Sequence, residues 1–163
     1  MTLPAETQER LAFLVRVVGK EITHLEYAAN QAFTPPLTLS AVDDLDSNPA
    51  LALRLEAFTS RFCRLQDTLG DKLLPALLKA LGESPSALLI NLNKAEKYGW
   101  LESVDEWVSL RQLRNKMIHE YIEDANVLHA SLVTAYENVS VLEQFSGQLI
   151  TQVERLQEGE VDG

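Results

Sequence analysis

The sequence predicts an all-α fold, an up-and-down bundle of about five helices ending in a long C-terminal one. Three observations carry this. Apolar residues recur at three- and four-residue steps along almost the whole chain. Alternation with a period of two is never sustained, so strand signals are nearly absent. Only seven glycines and six prolines punctuate the 163 residues.

The first helix is expected over roughly Ala5 to Phe33, where Leu11, Leu14, Val15, Val18, Ile22, Leu25 and Ala29 form a core-facing stripe. Thr34-Pro35-Pro36 ends it, and residues 34–48, with Asp43, Asp44, Asp46 and Ser47, read as a polar loop. Ser47 or Asn48 can cap the next helix ahead of Pro49. That helix repeats Leu51, Leu55, Phe58, Phe62, Leu65 and Leu69, and continues or restarts after Gly70 through Leu73 to Leu81, with Pro75 as a kink or first-turn residue and Gly82 as the stop. Ser84-Pro85-Ser86 opens a third helix that ends near Gly99. Ser103, with Glu106 three residues on, opens a fourth in a capping-box pattern. Asp124 or Asn126 begins the last, with Leu128, Leu132, Ala135, Val139, Leu142, Phe145 and Leu149, expected to fray from about residue 157 into an acidic tail. No repeat and no second-domain boundary is evident, so residues 1–163 read as one domain.

The length suffices for a substantial core. One cysteine, Cys63, excludes an intrachain disulfide and any multi-cysteine metal site, and it sits among apolar neighbours as core filler. No apolar run approaches the roughly 20 residues that span a bilayer, and the N-terminus lacks the pattern of a signal peptide. A cytoplasmic protein without membrane contact, metal or cofactor is the expectation. His24 and His129 lack partners at metal-ligand spacing and read as surface or packing residues. No glycine-rich phosphate loop is present. The net charge is −10, unevenly spread: residues 1–119 hold 13 of the 14 basic and 15 of the 24 acidic residues, whereas 120–163 hold Arg155 against nine acids. Most of the negative charge thus lies on this last stretch, and composition neither favours nor excludes a nucleic-acid partner.

One stretch carries chemistry: Leu110-Arg111-Gln112-Leu113-Arg114-Asn115-Lys116-Met117-Ile118-His119-Glu120-Tyr121. At about 100° per residue, Trp107, Leu110, Ile118, Ile122 and Ala125 fall in one apolar sector with Arg114 near its middle. A guanidinium there must be paired or face a cleft, because it cannot shed its charge. Asn115 and His119, four residues apart, lie together at the rim. Pairing of Arg114 with a carboxylate on another helix, Asp67 or Asp71, is the plainer alternative to a functional role.

The pattern Arg114-x4-His119-x-Tyr121, with a polar residue after the arginine, resembles the signature of HEPN-domain proteins, and is most similar to that of HepT-type toxins. Its position, late in a helical chain and ahead of a long terminal helix, fits that family. The resemblance implies a metal-independent ribonuclease working as a homodimer, with Arg114 and His119 as the catalytic pair and Asn115 supporting them. An imidazole has the intrinsic pKa for proton transfer near neutrality, and a guanidinium suits a crowded phosphate. The family resemblance also implies a nucleotidyltransferase antitoxin as partner, able to inactivate the toxin by adenylylating Tyr121, which places bulk and negative charge beside Arg114. RNA is the implied substrate. The local charges Arg111, Lys116, Lys94 and Lys97 are answered in sequence by Glu96, Asp105, Glu106 and Glu120, so the field at the site is expected to be weak, and Lys94 and Lys97 read as helix-surface charges. Two other readings stay open: a non-catalytic HEPN subunit holding a nucleotidyltransferase or its substrate, and a helical bundle whose Arg–His pair serves packing alone.

Overall fold

The computed structural model describes residues 3–119 and 123–162. The fold is all-α: 84% of the described residues are helical, far above the roughly one-third of an ordinary globular protein, and no strand occurs among them. The elements are α1 (Ala5–Phe33), α2 (Leu39–Asp43), a 3-10 turn (Leu45–Ser47), α3 (Pro49–Thr68), a π-helical turn (Leu69–Leu73), α4 (Leu74–Ala80), α5 (Leu88–Lys97), α6 (Val104–His119), α7 (Ala125–Glu137) and α8 (Val139–Asp162).

Most helix ends have local chemical causes. Asn48 accepts from the Leu51 N–H through its Oδ1 (3.2 Å), capping α3 as expected, with Pro49 in the first turn where its missing N–H costs nothing. Asp124 does the same for α7, accepting from Val127 N (3.1 Å). Gly82 (φ +86°) and Gly99 (φ +80°) occupy the left-handed region just past α4 and α5, where a side chain would be strained. Pro75 stands in the first turn of α4, immediately after the π turn whose wider ring closes from Leu74 N to Leu69 O. The ring of Pro75 cannot be accommodated in an unbroken α-helical ladder, and the π turn absorbs the mismatch.

Three departures from the sequence reading have physical reasons. Residues 34–48 are not a plain loop: Thr38 caps α2 by accepting from Ala41 N (3.1 Å), and Leu37, Val42 and Leu45 are buried there. The final helix is divided at Asn138, whose side-chain Nδ2 donates to the Thr134 carbonyl (2.8 Å) while its own N–H closes α7, the competing local hydrogen bonding typical of asparagine. Where fraying is expected from about residue 157, α8 continues to Asp162, because one glycine at 159 costs only about 1 kcal/mol of helix propensity.

The chain forms two compact units, each assembled from separate segments. The first comprises Met1–Lys20, Gln66–Val104 and Val141–Gly163. It buries Leu11, Leu14, Leu73, Leu77, Leu92 and Phe145, and α5 packs on α4 and on the π turn. Its 83–87 connection is pinned by buried Asn91, which accepts from Ser86 N (2.9 Å) and donates to Ser86 O (3.0 Å). At the surface Tyr98 donates to Glu83 (2.6 Å), and Lys94 pairs with the same carboxylate (3.6 Å).

The second unit comprises Glu21–Leu65 and Asp105–Ser140. Its core is aromatic: Phe33 meets Phe58 edge-on (4.9 Å between centroids) and stacks on Tyr136 (4.2 Å), while Trp107 is fully buried. The short α2 packs on α7, and His129 donates through Nε2 to the Leu37 carbonyl (3.0 Å), giving that histidine the packing role expected of it.

Candidate active site

The residues singled out by spacing lie on α6, whose own sequence explains why it runs unbroken. Between Val104 and His119 there is neither glycine nor proline. Asp105 and Glu106 occupy the first turn and Lys116 and His119 the last, both matched to the helix dipole. The leading N–H, of Val104, donates to the Glu96 carboxylate on α5 (2.6 Å), a long-range partner that no pattern within α6 announces.

The buried line along α6 runs through Val104, Trp107, Leu110 and Met117. Arg114 falls on that line, four residues after Leu110 and three before Met117, and is half-buried. This is the placement in an apolar sector that the spacing predicts. Arg111, on the neighbouring flank, is half-buried too. Asn115 and His119 are both exposed, and their four-residue separation puts them one above the other on a single flank. The helix therefore presents a guanidinium in partial shelter and, about 100° and 140° around the axis, an amide and an imidazole in the open.

One part of the sector is corrected. Ile118, expected among the buried residues, is 53% exposed, and Met117 takes the inward position in that turn. Periodicity gives the direction of a face but not the point along the helix at which its packing neighbours end, and Ile118 stands one residue before the end of α6. Tyr121 and Ile122 lie outside the described residues. Asp67, half-buried on α3, and Asp71, exposed in the π turn, belong to the first unit, whereas Arg114, Asn115 and His119 belong to the second.

The charges around this stretch are mixed, with Glu120 directly after His119 in sequence. Residues 107–119 carry Arg111, Arg114 and Lys116 and no carboxylate. Asp105 lies about 20 Å from His119 along the axis, at 1.5 Å per residue, and Glu96 is occupied at the opposite end of the helix by the Val104 N–H. Lys94 is engaged by Glu83 and by the Ser84 carbonyl (3.4 Å), in keeping with a structural surface charge.

Among the described residues no group of three or more His, Cys, Asp or Glu is arranged to hold a metal ion, and no helix is long and apolar enough to cross a membrane. Comparison of the chain with protein-family models, with characterised proteins and with solved structures yields no match.

Proposed function

We propose that the protein is an endoribonuclease of the HEPN type, the toxin of a toxin–antitoxin pair, acting on RNA in the cytoplasm as a homodimer. The observation that carries this reading is the arrangement on α6: a half-buried Arg114 beside an exposed Asn115–His119 pair, in a stretch with three permanent cations and no carboxylate. A purely structural Arg–His pair has no need of an exposed histidine.

In the proposed reaction the 2′-hydroxyl of the substrate loses its proton to an imidazole as its oxygen attacks phosphorus. The bond to the 5′ oxygen breaks, and that oxygen takes up a proton from an imidazolium. The products are a 2′,3′-cyclic phosphate and a free 5′-hydroxyl. Arg114 stabilises the charge on the non-bridging oxygens through paired N–H donors, and Asn115 adds a neutral donor beside it. One imidazole cannot act as base and acid in the same step, so two copies of His119, one from each protomer, complete the site. The proposed dimer contact includes Ile118, 53% exposed next to His119.

The same exposed isoleucine also suits a second reading, in which the chain is a non-catalytic HEPN subunit that holds a nucleotidyltransferase. In either case adenylylation of Tyr121 is the regulatory event that the motif suggests. The two readings part on one experiment. Expression of the chain alone stops growth under the first, and His119→Ala or Arg114→Ala relieves the arrest while the variant protein still accumulates in folded form. Equal growth arrest by wild type and His119→Ala rejects the ribonuclease assignment.

A further inference from the structure

The second unit carries a row of cations that the α6 site does not use. Three of the chain's 14 Lys and Arg residues, Arg54, Arg61 and Arg64, fall within eleven residues of α3. At about 100° per residue they lie within roughly 80° of one another around the helix. Ala50 and Ala57, the short residues that share the sector, leave the guanidinium groups unobstructed. Of the two carboxylates on α3, Glu56 lies about 160° from Arg54 and about 80° from Arg64, and Asp67 about 60° from Arg64 around the helix. Arg54 and Arg64 are exposed and Arg61 is half-buried, and none of the three makes an ion pair with a described residue. In a chain with 24 acidic side chains, three aligned arginines without ion pairs among the described residues mark a surface suited to an external polyanion.

We infer that this face of α3 binds the sugar–phosphate backbone of single-stranded RNA. The row extends about 15 Å, ten residues at 1.5 Å each, the reach of a few consecutive phosphates, and a guanidinium meets phosphate oxygens with two parallel donors. A lipid surface fits less well. The apolar side of α3 (Leu51, Leu55, Phe58, Phe62) is buried in the protein core, which leaves exposed Leu53 as the one large apolar residue near the row, and interfacial helices need a broad apolar face. The choice of RNA over an acidic protein segment rests on the ribonuclease reading above.

The test uses the full chain carrying His119→Ala, so that bound RNA survives, and follows fluorescence anisotropy of a labelled 20-nucleotide single-stranded RNA at several salt concentrations. Replacing all three arginines (Arg54→Gln, Arg61→Gln, Arg64→Gln) is expected to weaken binding at least tenfold at low salt. It should also reduce the slope of log affinity against log salt by about 2, at roughly 0.7 per lost phosphate contact. The Arg54→Gln/Arg64→Gln double variant, confined to exposed positions, should show about two-thirds of that change in slope, and Lys72→Gln/Lys79→Gln in the first unit should show none. The inference is overturned if the triple variant binds like its parent, if the parent binds no RNA, or if the arginines govern binding to phosphatidylserine vesicles or to a polyglutamate peptide and not to RNA. Failure of the ribonuclease reading is seen separately, as no cleavage of the same RNA by the wild-type chain, and leaves the binding result standing.

Discussion

The two halves of α6 are built from the same helix and put to opposite uses. Its first half is anchored: Trp107 is wholly buried, Leu110 is 3% exposed, and the leading N–H is held by Glu96. Its last turn is presented to solvent, with Ile118 about half exposed and Asn115 and His119 in the open. Arg114 stands at the changeover. A rigid, deeply packed root fixes the orientation of the groups at the tip, which is what proton transfer and phosphate recognition require of their side chains. The contrast also separates residues whose loss unfolds the protein from residues whose loss disables it.

The largest expected effect on stability falls on the anchored half. Trp107→Ala removes a fully buried indole and should cost about 3–5 kcal/mol. At 2–4 °C per kcal/mol for a chain of this size, that is a fall in Tm of roughly 6–20 °C by differential scanning calorimetry. A fall of under 2 °C would show that the root of α6 is not the anchor described. At the changeover, Arg114→Ala should lower the rate of RNA cleavage by about 10²–10³-fold, the usual loss on removing a charge-stabilising donor. Its cost in stability should be smaller than that of Trp107→Ala, because the guanidinium is only half-buried. At the tip, Ile118→Ser should alter unfolding free energy by no more than about 0.5 kcal/mol, as at other exposed sites. Sedimentation should nevertheless reveal dissociation of the proposed dimer, and an unchanged association state would remove Ile118 from the proposed interface.

How much of this was legible in advance depended on whether the cause was local. The end of α1 before Pro35 and Pro36, the cap at Asn48, the stops at Gly82 and Gly99 and the start of α7 at Asp124 all follow from the chemistry of a few neighbouring residues. Arg114 in an apolar sector followed from periodicity. The helix α2 was not legible, because burial of Val42 and Leu45 and packing on α7 stabilise a segment whose acidic, prolyl surroundings look like a loop. Neither was the break at Asn138, since asparagine is tolerated in many helices and here wins a backbone carbonyl for its own side chain. For the site, the missing piece was the exposure of Ile118, which depends on where packing partners end.

The smallest expected effect lies away from α6 and sharpens the comparison by showing what an exposed cluster with a structural role looks like. The hydrogen bond to Glu83, with lesser help from burial and from the Glu83 charge, raises the Tyr98 phenol above its ordinary value of 10.0. The folded state therefore holds that proton more tightly than the unfolded chain. The resulting stabilisation is complete below about pH 10 and disappears as pH rises through the folded value. Absorbance at 295 nm should show Tyr98 titrating later than an exposed tyrosine, and Glu83→Gln should bring its step back down. An unshifted step in the wild type would remove this clip.

The central claim, that the exposed tip of α6 carries out RNA cleavage, is tested most directly by the ends of the RNA it produces. Purified wild-type chain incubated with single-stranded RNA in excess EDTA should give fragments that mass spectrometry identifies as ending in 2′,3′-cyclic phosphate. His119→Ala, melting within about 2 °C of wild type as expected for an exposed substitution, should give none. Identical fragments from the His119→Ala protein, or intact RNA after incubation with folded wild type, would contradict it.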